Sequence, residues 1–521
     1  AGPEPENFLA GNLQIHIIGG NIHHETEQLK INGQVLKMKT HRINPFVVMG
    51  MTLVVASVTI VAAASNSKNV ANRDIEGIWM AAAEKPDTPA PPVIFRIAIN
   101  ADGVPRAFME SPDQLHRTLM NNVTFENGRL YIDAKSIGGA YEGKIEADGM
   151  TIKGNWSQAG RSFPLLLKRT DELPRPNRPQ EPKRPYPYDD EEVVYKNSQA
   201  DIKIVGTLTL PRTEGPFPVV LLIGGSGTDD RDNGFSHRTF LVLADYLTRR
   251  GIATLRADKR GVWKSTGNFY TATTRDFADD ALAGLAYLKT RKEINPAQIG
   301  IIGHSEGAMI ASMLAAQSPD TAFIVLMAGA GVPLDKLLVT QNCLYAEVEG
   351  AGEQKIAVLR DWYQRYYQIA ISEKDDALAE KKINKMYAEL TDEQKQMLDW
   401  SETKLNGEIK RVLSPWSRYL LAFDPKVFLT QVKCPVLAIN GQKDLQVAPD
   451  ENLHGIEQAL KTGGNRHYLV KKLPGLNHQF QTADTGAESE YAQIKETFAP
   501  FAMKTVADWI LKQTGEPADD R

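Results

Sequence analysis

The sequence predicts an α/β protein with a mostly parallel main sheet covered by helices on both faces, preceded by a small antiparallel β domain. Three observations carry this prediction. From about residue 191, apolar runs of strand length alternate with amphipathic helical runs, which is typical of parallel sheets. Between residues 75 and 170, short alternating runs are separated by X-Gly turns, which indicates antiparallel hairpins. At 521 residues the chain is long enough for two or three domains.

The N-terminal region, residues 1–64, is predicted to lie outside the folded domains. Residues 38–42 form a short basic stretch, and the apolar run 46–64 follows it and ends in small residues. This is the layout of a secretory signal peptide, residues 38–64. Its removal would leave a periplasmic or secreted protein with no stable membrane association; an uncleaved membrane anchor is the alternative. Residues 1–37 are interpreted as translated upstream sequence or as a segment added for expression.

The β domain is predicted at residues 75–170. Its hairpin turns are expected at residues 102–103, 127–128 and 148–149, each of which ends in glycine. Trp79 and Trp156 are expected to fill its core, and the domain shows no pattern of nucleophilic or acid–base residues. The following residues, 171–190, contain repeated prolines that exclude helix, so this stretch is predicted to be a semi-rigid linker.

The third region, residues 191–515, carries the strand–helix alternation. Its strands are expected at residues 218–223, 253–258, 299–302, 322–327, 435–440 and 468–473, with helices at 240–250 and 275–292 between them. Residues 334–424 contain no strand-like run and are predicted to form a helical cap. Six aromatic residues of this insertion are expected either to line a site or to pack its helices together: Trp362, Tyr363, Tyr366, Tyr367, Trp416 and Tyr419.

The pentapeptide at residues 303–307 is the strongest chemical signal in the chain. Gly303 and Gly307 flank Ser305 at a spacing of two residues, after an apolar run and before a helical run. A strand–turn–helix of this kind holds a serine on a sharp, strained turn, where neighbouring backbone leaves no room for side chains at the two glycines. The pattern therefore predicts a nucleophile elbow with Ser305 as the nucleophile.

A serine hydroxyl needs a base to remove its proton, and the base needs an acid to orient it. Asp444 follows the strand at residues 435–440, and His478 follows the strand at 468–473. Both would lie at the carboxyl edge of the sheet with Ser305. The sequence therefore predicts a triad in the order Ser305, Asp444, His478, with Asp450 as the alternative acid.

The negative charge that develops on a substrate carbonyl oxygen must be met by fixed N–H groups. One donor is expected to be the backbone N–H of Glu306, directly after the nucleophile. The other is expected from the glycine-rich loop 224–227, where we choose the N–H of Ser226. A phosphate-binding interpretation of this loop is disfavoured, because the loop lacks the Lys and Ser/Thr spacing of a P-loop.

Composition narrows the possible partners. A net charge of −4 and the absence of a basic patch predict no nucleic-acid partner. The two cysteines, Cys343 and Cys434, permit one disulfide at most and are expected to be buried small apolar residues. No metal-ligand spacing is found, so neither a metal nor a cofactor is expected.

Five stretches together resemble the bacterial α/β-hydrolase carboxylesterases of the capped, exported kind, over about residues 185–513. They are residues 221–232 (LLIGGSGTDDRD), 256–267 (RADKRGVWKSTG), 299–307 (IGIIGHSEG), 440–444 (NGQKD) and 473–480 (LPGLNHQF). The resemblance implies hydrolysis of short-chain acyl esters by Ser305, Asp444 and His478. One departure is Trp263, where related sequences usually carry glycine; its bulk is expected to alter that loop or one wall of the pocket.

The sequence thus predicts a serine carboxylesterase that hydrolyses short-chain, small-molecule esters through an acyl-enzyme. A feruloyl or acetyl-carbohydrate esterase fits the same residues. A serine peptidase of the prolyl-peptidase type shares the fold and the triad, and a binding module on an inactive hydrolase scaffold is the non-enzymatic alternative. The sequence leaves the oligomeric state open.

Overall fold

The structure is a computed structural model. It describes residues 26–31, 34–39, 74–82, 93–111, 117–173, 176–233 and 237–515. The first two ranges are the backbone of an antiparallel hairpin, β1 (Thr26–Ile31) and β2 (Gln34–Lys39), in a unit separate from residues 71–521. Apart from this hairpin, the predicted upstream segment and signal peptide lie outside the described residues. No helix in the described ranges is long and apolar enough to cross a membrane.

Residues 77–170 form one nine-stranded antiparallel sheet, called here the β-sheet domain. Its strands are β3 (Gly77–Ala82), β4 (Ile94–Ile99), β5 (Pro105–Glu110), β6 (Arg117–Leu119), β7 (Asn122–Glu126), β8 (Arg129–Ala134), β9 (Gly139–Ile145), β10 (Thr151–Gln158) and β11 (Arg161–Thr170). Their order across the sheet is β6-β5-β4-β3-β11-β10-β9-β8-β7. Adjacent strands in the chain mostly pair with each other, as expected of hairpins closed by short turns.

The core of the β-sheet domain lies on one face of the curved sheet. Trp79 and Trp156 are both buried there, packed with Phe95 and Tyr141, as the sequence predicted. The tight turn before β8 needs a backbone conformation that glycine adopts without strain, and Gly128 has a φ of 72°. Period-two alternation of apolar residues thus accounts for the strands and for the face that they bury.

Residues 189–473 contribute an eight-stranded mixed sheet, which confirms the predicted α/β-hydrolase fold. Its strands are β12 (Asp189–Asn197), β13 (Ile202–Leu210), β14 (Phe217–Ile223), β15 (Ala253–Ala257), β16 (Ile294–His304), β17 (Phe323–Met327), β18 (Val436–Gly441) and β19 (Tyr468–Leu473). Their order is β12-β13-β15-β14-β16-β17-β18-β19, and all pairs from β15 onward are parallel. The antiparallel strands β12 and β13 were not predicted.

Helices cover both faces of this sheet. They are α1 (Thr239–Arg249), α2 (Thr274–Leu288), α3 (Glu306–Gln317), α11 (Pro449–Thr462) and α13 (Pro500–Thr514). One core packs α2, α3 and α11 against alternate strand residues such as Leu221, and the other packs α1 and α13 against residues such as Leu222. Strands buried on both faces explain why their sequences are continuous apolar runs.

A helical insertion separates β17 from β18, as predicted. It comprises α4 (Leu334–Val348), α5 (Glu353–Ser372), α6 (Asp376–Ala388), α7 (Asp392–Leu398), α8 (Glu402–Val412), α9 (Pro415–Leu421) and α10 (Lys426–Leu429). We call residues 334–421 the cap. The cap has its own buried aromatic core, in which the ring of Trp362 stacks on Tyr366 and meets Trp400 edge to face. A short helix, α12 (Glu488–Tyr491), lies further along the chain.

The proline-containing stretch is packed against the main domain over its described residues. Arg178 donates to the carbonyl oxygens of Ala492 (3.1 Å) and Ile494, and the Gln180 amide donates to that of Phe498 (2.7 Å). The strand β12 already begins at Asp189, inside the stretch predicted to be linker. Prolines exclude a helix here, but side-chain bonds to the C-terminal segment hold the stretch in place.

Candidate active site

Ser305 lies on a strained turn between β16 and α3. Its backbone has φ 55° and ψ −118°, a region that residues with a side chain rarely adopt. A Cβ added at Gly303 would lie 2.1 Å from the carbonyl oxygen of Gly307, and one added at Gly307 would lie 2.0 Å from that of Ile223. Both glycines are therefore required sterically, and they let the turn present Ser305 at the edge of the sheet.

Asp444 and His478 form a buried pair after the last two strands. The Nδ1 atom of His478 lies 2.8 Å from Oδ2 of Asp444, and both side chains are almost fully buried. The other carboxylate oxygen accepts the backbone N–H groups of Gln446 (2.8 Å) and Val447 (2.9 Å). Because an ionised carboxylate only accepts, Nδ1 carries the hydrogen and Nε2 is left with the lone pair.

The alternative acid, Asp450, is placed elsewhere. It lies in the first turn of helix α11 with an exposed side chain and pairs with Lys472 at 2.5 Å. An exposed ion pair of this kind neither orients an imidazole nor excludes water from it. The structure therefore pairs His478 with Asp444 and not with Asp450.

His304 contacts His478, which the sequence did not indicate. Its Nε2 lies 3.0 Å from the carbonyl oxygen of His478, and the two rings are 4.8 Å apart between centroids. Burial and the neighbouring His478 lower the pKa of His304 to about 3, so its ring is neutral at physiological pH. A neutral His304 donating to this carbonyl holds the backbone of His478 in place.

The loop after β14 approaches Ser305 closely. A Cβ added at Gly225 would lie 3.2 Å from Cβ of Ser305, a contact tighter than most side chains make, so glycine suits this close approach of the backbone. The ammonium of Lys259 donates to the carbonyl oxygens of Gly225 and Gly227, the latter at 2.9 Å. The Gly225 carbonyl and the Ser226 N–H belong to one planar peptide and point in opposite directions. Lys259 therefore fixes the direction of the Ser226 N–H.

Asp258 and Arg260, on either side of Lys259, bind partners that lie outside the cavity lining. Asp258 binds the Arg231 side chain and its backbone N–H, with distances of 2.7–3.1 Å. Arg260 binds Asp280 of α2 through two bonds of 2.7 and 2.8 Å. From the sequence alone, residues 258–260 only supported the family resemblance, because no local pattern shows which distant residues they contact.

Glu306 contributes both its backbone and its side chain. Its N–H starts helix α3, where the helix dipole favours negative charge. Its buried carboxylate accepts the Thr274 hydroxyl at 2.6 Å and the Trp416 indole N–H at 2.9 Å. This bond ties the cap residue Trp416 to the residue that follows the nucleophile.

A cavity of about 570 Å³ contains Ser305, His478, Ser226 and Glu306 in its lining. The cap and α3 supply an apolar wall that includes Met309, Leu334, Leu337, Leu338, Trp416, Leu420 and Leu421. Polar side chains line other parts, among them Arg117, Asn233, His237, Gln446, Gln479 and Tyr491. Burial lowers the pKa of His237 to about 4, and its Nε2 lies 2.7 Å from the carbonyl oxygen of Tyr491.

The six cap aromatics divide between the two predicted roles. Tyr367 and Trp416 line the cavity. The rings of Trp362, Tyr363 and Tyr366 pack with Trp400 inside the cap, and Tyr419 packs against the core of the main domain. Both alternatives that the sequence left open are therefore found: two of the six aromatics line the cavity, and the other four pack in a core.

Trp263, the departure from the family pattern, faces the β-sheet domain and not the cavity. Its backbone keeps a φ of 50°, which glycine would adopt without strain. Its ring stacks on Phe108 with 6.1 Å between centroids, and the Arg96 guanidinium lies 4.4 Å from its centroid. Of the two expected effects of Trp263, on its loop or on one wall of the pocket, the wall is excluded because Trp263 is not among the cavity-lining residues; the side chain joins two domains.

Two further kinds of side chain bear on the site: the cysteines and the groups that could bind a metal ion. Cys343 and Cys434 are free thiols, and Cys343 is buried. Within the described ranges, no group of three or more His, Cys, Asp or Glu side chains could hold a metal ion.

Comparison with known proteins gives matches to hydrolases. The model of the X-Pro dipeptidyl-peptidase (S15) family matches residues 201–472, just over half of the chain. Esterase EstD of Thermotoga maritima is 31% identical over 137 residues, which are 26% of this chain and 32% of EstD. The match thus spans about a third of that relative's length.

Two solved esterase structures are also similar. The Pyrococcus furiosus esterase PF2001 shares 17% identity over 63% of this chain and 91% of its own, with a TM-score of 0.38. Est1E of Butyrivibrio proteoclasticus, solved with ferulic acid bound, shares 19% identity over 62% of this chain and 100% of its own, also with a TM-score of 0.38. From the extent of the family match, this chain belongs to the X-Pro dipeptidyl-peptidase (S15) family.

Proposed function

We propose that the protein is a serine carboxylesterase that hydrolyses short-chain acyl esters through an acyl-enzyme intermediate. The observation that carries the proposal is the buried Asp444–His478 pair, which shares one cavity with Ser305 on its strained turn. Membership of a serine hydrolase family and the similarity to esterase EstD support the same class of chemistry.

In this proposal His478 moves the proton. Its Nε2 accepts the hydroxyl proton of Ser305 as the serine oxygen attacks the ester carbonyl carbon. The imidazolium then gives this proton to the departing alcohol as the carbon–oxygen bond breaks. A water molecule attacks the acyl-enzyme with His478 again as the base, which releases the acid and restores Ser305. Asp444 stabilises the imidazolium through the 2.8 Å bond to Nδ1.

The oxyanion of the tetrahedral intermediate is stabilised by the N–H groups of Ser226 and Glu306. Lys259 sets the direction of the first, and the first turn of α3 sets the second. Donors fixed before the reaction stabilise charge without reorganising, and one such donor is worth about 10²–10³ in kcat.

The cavity supports a small ester as substrate. A volume of about 570 Å³ lies within the range of pockets for small organic ligands. The apolar wall from the cap suits an aliphatic or aromatic acyl group, so feruloyl and acetyl-carbohydrate esters remain alternative substrates. Assay of p-nitrophenyl esters graded by acyl length, including an aromatic acid, separates these classes.

The family description names a peptidase of X-Pro bonds, which gives a second candidate function. Such a substrate carries an N-terminal ammonium that needs an acceptor in the site. Three carboxylates line the cavity, and each already has a partner within this chain: Lys259 lies 3.6 Å from Asp229, Trp416 donates to Glu306, and Tyr345 donates to Glu488 at 2.7 Å. This favours a neutral ester over an ammonium-bearing peptide.

Parallel kinetics test the proposal. Short p-nitrophenyl esters should give a kcat/KM well above that of X-Pro anilides, and Ser305→Ala should abolish both activities while the protein stays folded. Anilide turnover equal to or above ester turnover would reverse the order of the two candidates. Ester hydrolysis that survives in pure Ser305→Ala protein would refute the role of Ser305.

Export is part of the proposal and is supported by the sequence pattern of residues 38–64 alone. The mature protein should be found in the periplasm or the medium, with its first residue shortly after position 64. Retention in the cytoplasm with residues 38–64 intact would refute export and leave the catalytic proposal untouched.

A further inference from the structure

We call residues 224–232 the oxyanion loop, because they include the predicted oxyanion donor Ser226. The last four residues of this loop, 229–232, are all charged. Asp230 of this loop forms an ion pair with Arg117 at 2.9 Å and a longer one with Arg96 at 3.7 Å. Both arginines belong to the β-sheet domain. The same arginines lie 3.6 and 3.1 Å from Glu110. The loop is therefore bonded to two arginines of another domain, each more than a hundred residues away in sequence.

These pairs are shielded from water. The side chains of Arg96, Arg117, Glu110 and Asp230 are at most 11% exposed. Burial alone would raise the pKa of Asp230, but Arg117 and Arg96 more than offset this and hold the pKa below its ordinary value. Shielded charge pairs have strongly distance-dependent energies, so they fix positions more tightly than exposed pairs do.

The other side of the oxyanion loop is held by the main domain. Lys259 bonds the carbonyls of Gly225 and Gly227 and lies 3.6 Å from Asp229, while Asp258 holds Arg231. The loop is thus fixed between charges of two domains. Neither set of bonds alone spans the whole loop.

The β-sheet domain is docked firmly enough to set where its arginines lie. Phe108 stacks on Trp263, and the Arg117 guanidinium lies 3.6 Å from the centroid of the Phe108 ring. The Tyr270 hydroxyl donates to the carbonyl oxygen of Leu119 at 2.5 Å. Arg117 therefore lies between strands β4–β6 of its own domain and the main domain.

We propose that the β-sheet domain completes the active site: Arg117 positions the oxyanion loop through Asp230 and forms part of the cavity wall. This inference rests on the proposed ester hydrolysis at Ser305. Without Arg117, Asp230 loses its nearest partner, the loop relaxes, and the Ser226 N–H no longer meets the oxyanion at hydrogen-bond distance. Arg117 is therefore a positioning residue, and its effect should be confined mainly to the transition state.

Four variants test this: Arg117→Met, Asp230→Asn, the double variant Arg117→Met/Asp230→Asn, and Arg129→Met. The last is the matched control, because Arg129 lies on the same domain in an exposed pair with Glu142. For each variant, kcat and KM are measured with a short p-nitrophenyl ester. The inhibition constant of a trifluoromethyl ketone is also measured, since this inhibitor forms an oxyanion when it adds to serine. Thermal unfolding follows stability separately.

We expect Arg117→Met and Asp230→Asn to lower kcat about tenfold or more and to weaken the ketone by a similar factor, with KM changed less. The double variant leaves no unpaired charge, so it should regain stability but not kcat. Arg129→Met should stay within about twofold of wild type.

Unchanged kcat and unchanged ketone affinity in the single variants, with lower unfolding temperatures, would overturn the inference and leave a packing role only. Recovery of kcat by the double variant would overturn it too. Wild-type protein that neither hydrolyses the ester nor binds the ketone would overturn the proposed function, and this inference with it.

Discussion

The cap and the β-sheet domain both reach the candidate cavity, but they do so by different physical means. The cap presents an apolar wall, including Leu337 and Trp416, on helices that pack around their own aromatic core. The β-sheet domain presents Arg117, whose shielded ion pair ends on the oxyanion loop. Apolar contacts are non-directional and depend on area, whereas ion pairs are directional.

This difference assigns different kinetic roles to the two regions. An apolar wall binds substrate and transition state about equally, so changes in the cap should act mainly on KM and on the choice of acyl group. A charge pair that aims an oxyanion donor acts in the transition state, so changes at the β-sheet domain side should act on kcat. The predictions below compare the kinetic effects of changes in the cap and in the residues that hold the oxyanion loop with the effect of a change in the triad.

The largest effect is expected from a change at Asp444, the proposed acid of the triad. Asp444→Asn keeps the shape of the side chain but can donate to Nδ1, which favours the wrong tautomer of His478. We expect kcat to fall on the order of 10⁴-fold with a small change in KM. Steady-state kinetics on a p-nitrophenyl ester measure it, and Asp450→Asn is the control that should leave kcat near wild type. If Asp450→Asn lost activity and Asp444→Asn did not, Asp450 would be the acid of the triad in place of Asp444.

Lys259→Met comes next and tests the main-domain side of the oxyanion loop. The loss of the bonds to the Gly225 and Gly227 carbonyls should misdirect the Ser226 N–H and lower kcat by about 10²-fold. Combined with Arg117→Met, the loss should be less than additive, because both residues act on one loop. Additive losses in a double-mutant cycle would show that the two domains act on the site independently.

How far the sequence predicts this architecture depends on the range of each interaction. The central strands are buried on both faces, so their apolar runs located them to within a few residues, as for β17 and β18. The edge strand β12 was partly assigned to the linker, because it starts with the acidic run 189–192 beside the prolines. Glycine spacing and strand ends were enough to nominate Ser305, Asp444 and His478.

The supporting residues lie beyond such local patterns. Arg117 meets Asp230 across 113 positions, and Trp416 meets Glu306 across 110. Their pairing depends on how domains dock, for which a single sequence contains no periodicity or spacing rule. Trp263 was noticed only as a departure from glycine, and its stacking on Phe108 explains the departure.

The pH dependence of stability tests the burial of His304 in the main domain. The ordinary histidine pKa is about 6.5, whereas burial and the neighbouring His478 lower that of His304 to about 3. The unfolded chain binds this proton below pH 6.5 and the folded chain only near pH 3. The stabilisation is therefore complete above pH 6.5 and is lost as the pH falls toward 3, with about 2 kcal/mol lost at pH 5.

Urea unfolding at pH 7.5 and pH 5 measures this loss in wild type and in His304→Asn. The variant should lose about 2 kcal/mol less than wild type between the two pH values. An equal loss in both proteins would assign the acid sensitivity to other groups, of which His237 is the first to test, since burial lowers its pKa to about 4.

The smallest effect is expected at the cap wall. Leu337→Ala enlarges the cavity and should raise KM for longer acyl esters about tenfold, equivalent to about 1.4 kcal/mol, with kcat changed little. Leu359→Ala removes a similar leucine from the cap core, away from the cavity, and should lower stability without changing acyl preference. A fall in kcat with unchanged KM in Leu337→Ala would remove the distinction between the two regions.

The most direct test of the catalytic assignment is covalent trapping of the nucleophile. Protein treated with a fluorophosphonate should gain one adduct, and peptide mass spectrometry should place it on Ser305 in the wild type. Ser305→Ala should stay unmodified, and His478→Ala should react far more slowly because its serine lacks the base. An adduct on another residue, or equal labelling of Ser305→Ala, would contradict the assignment.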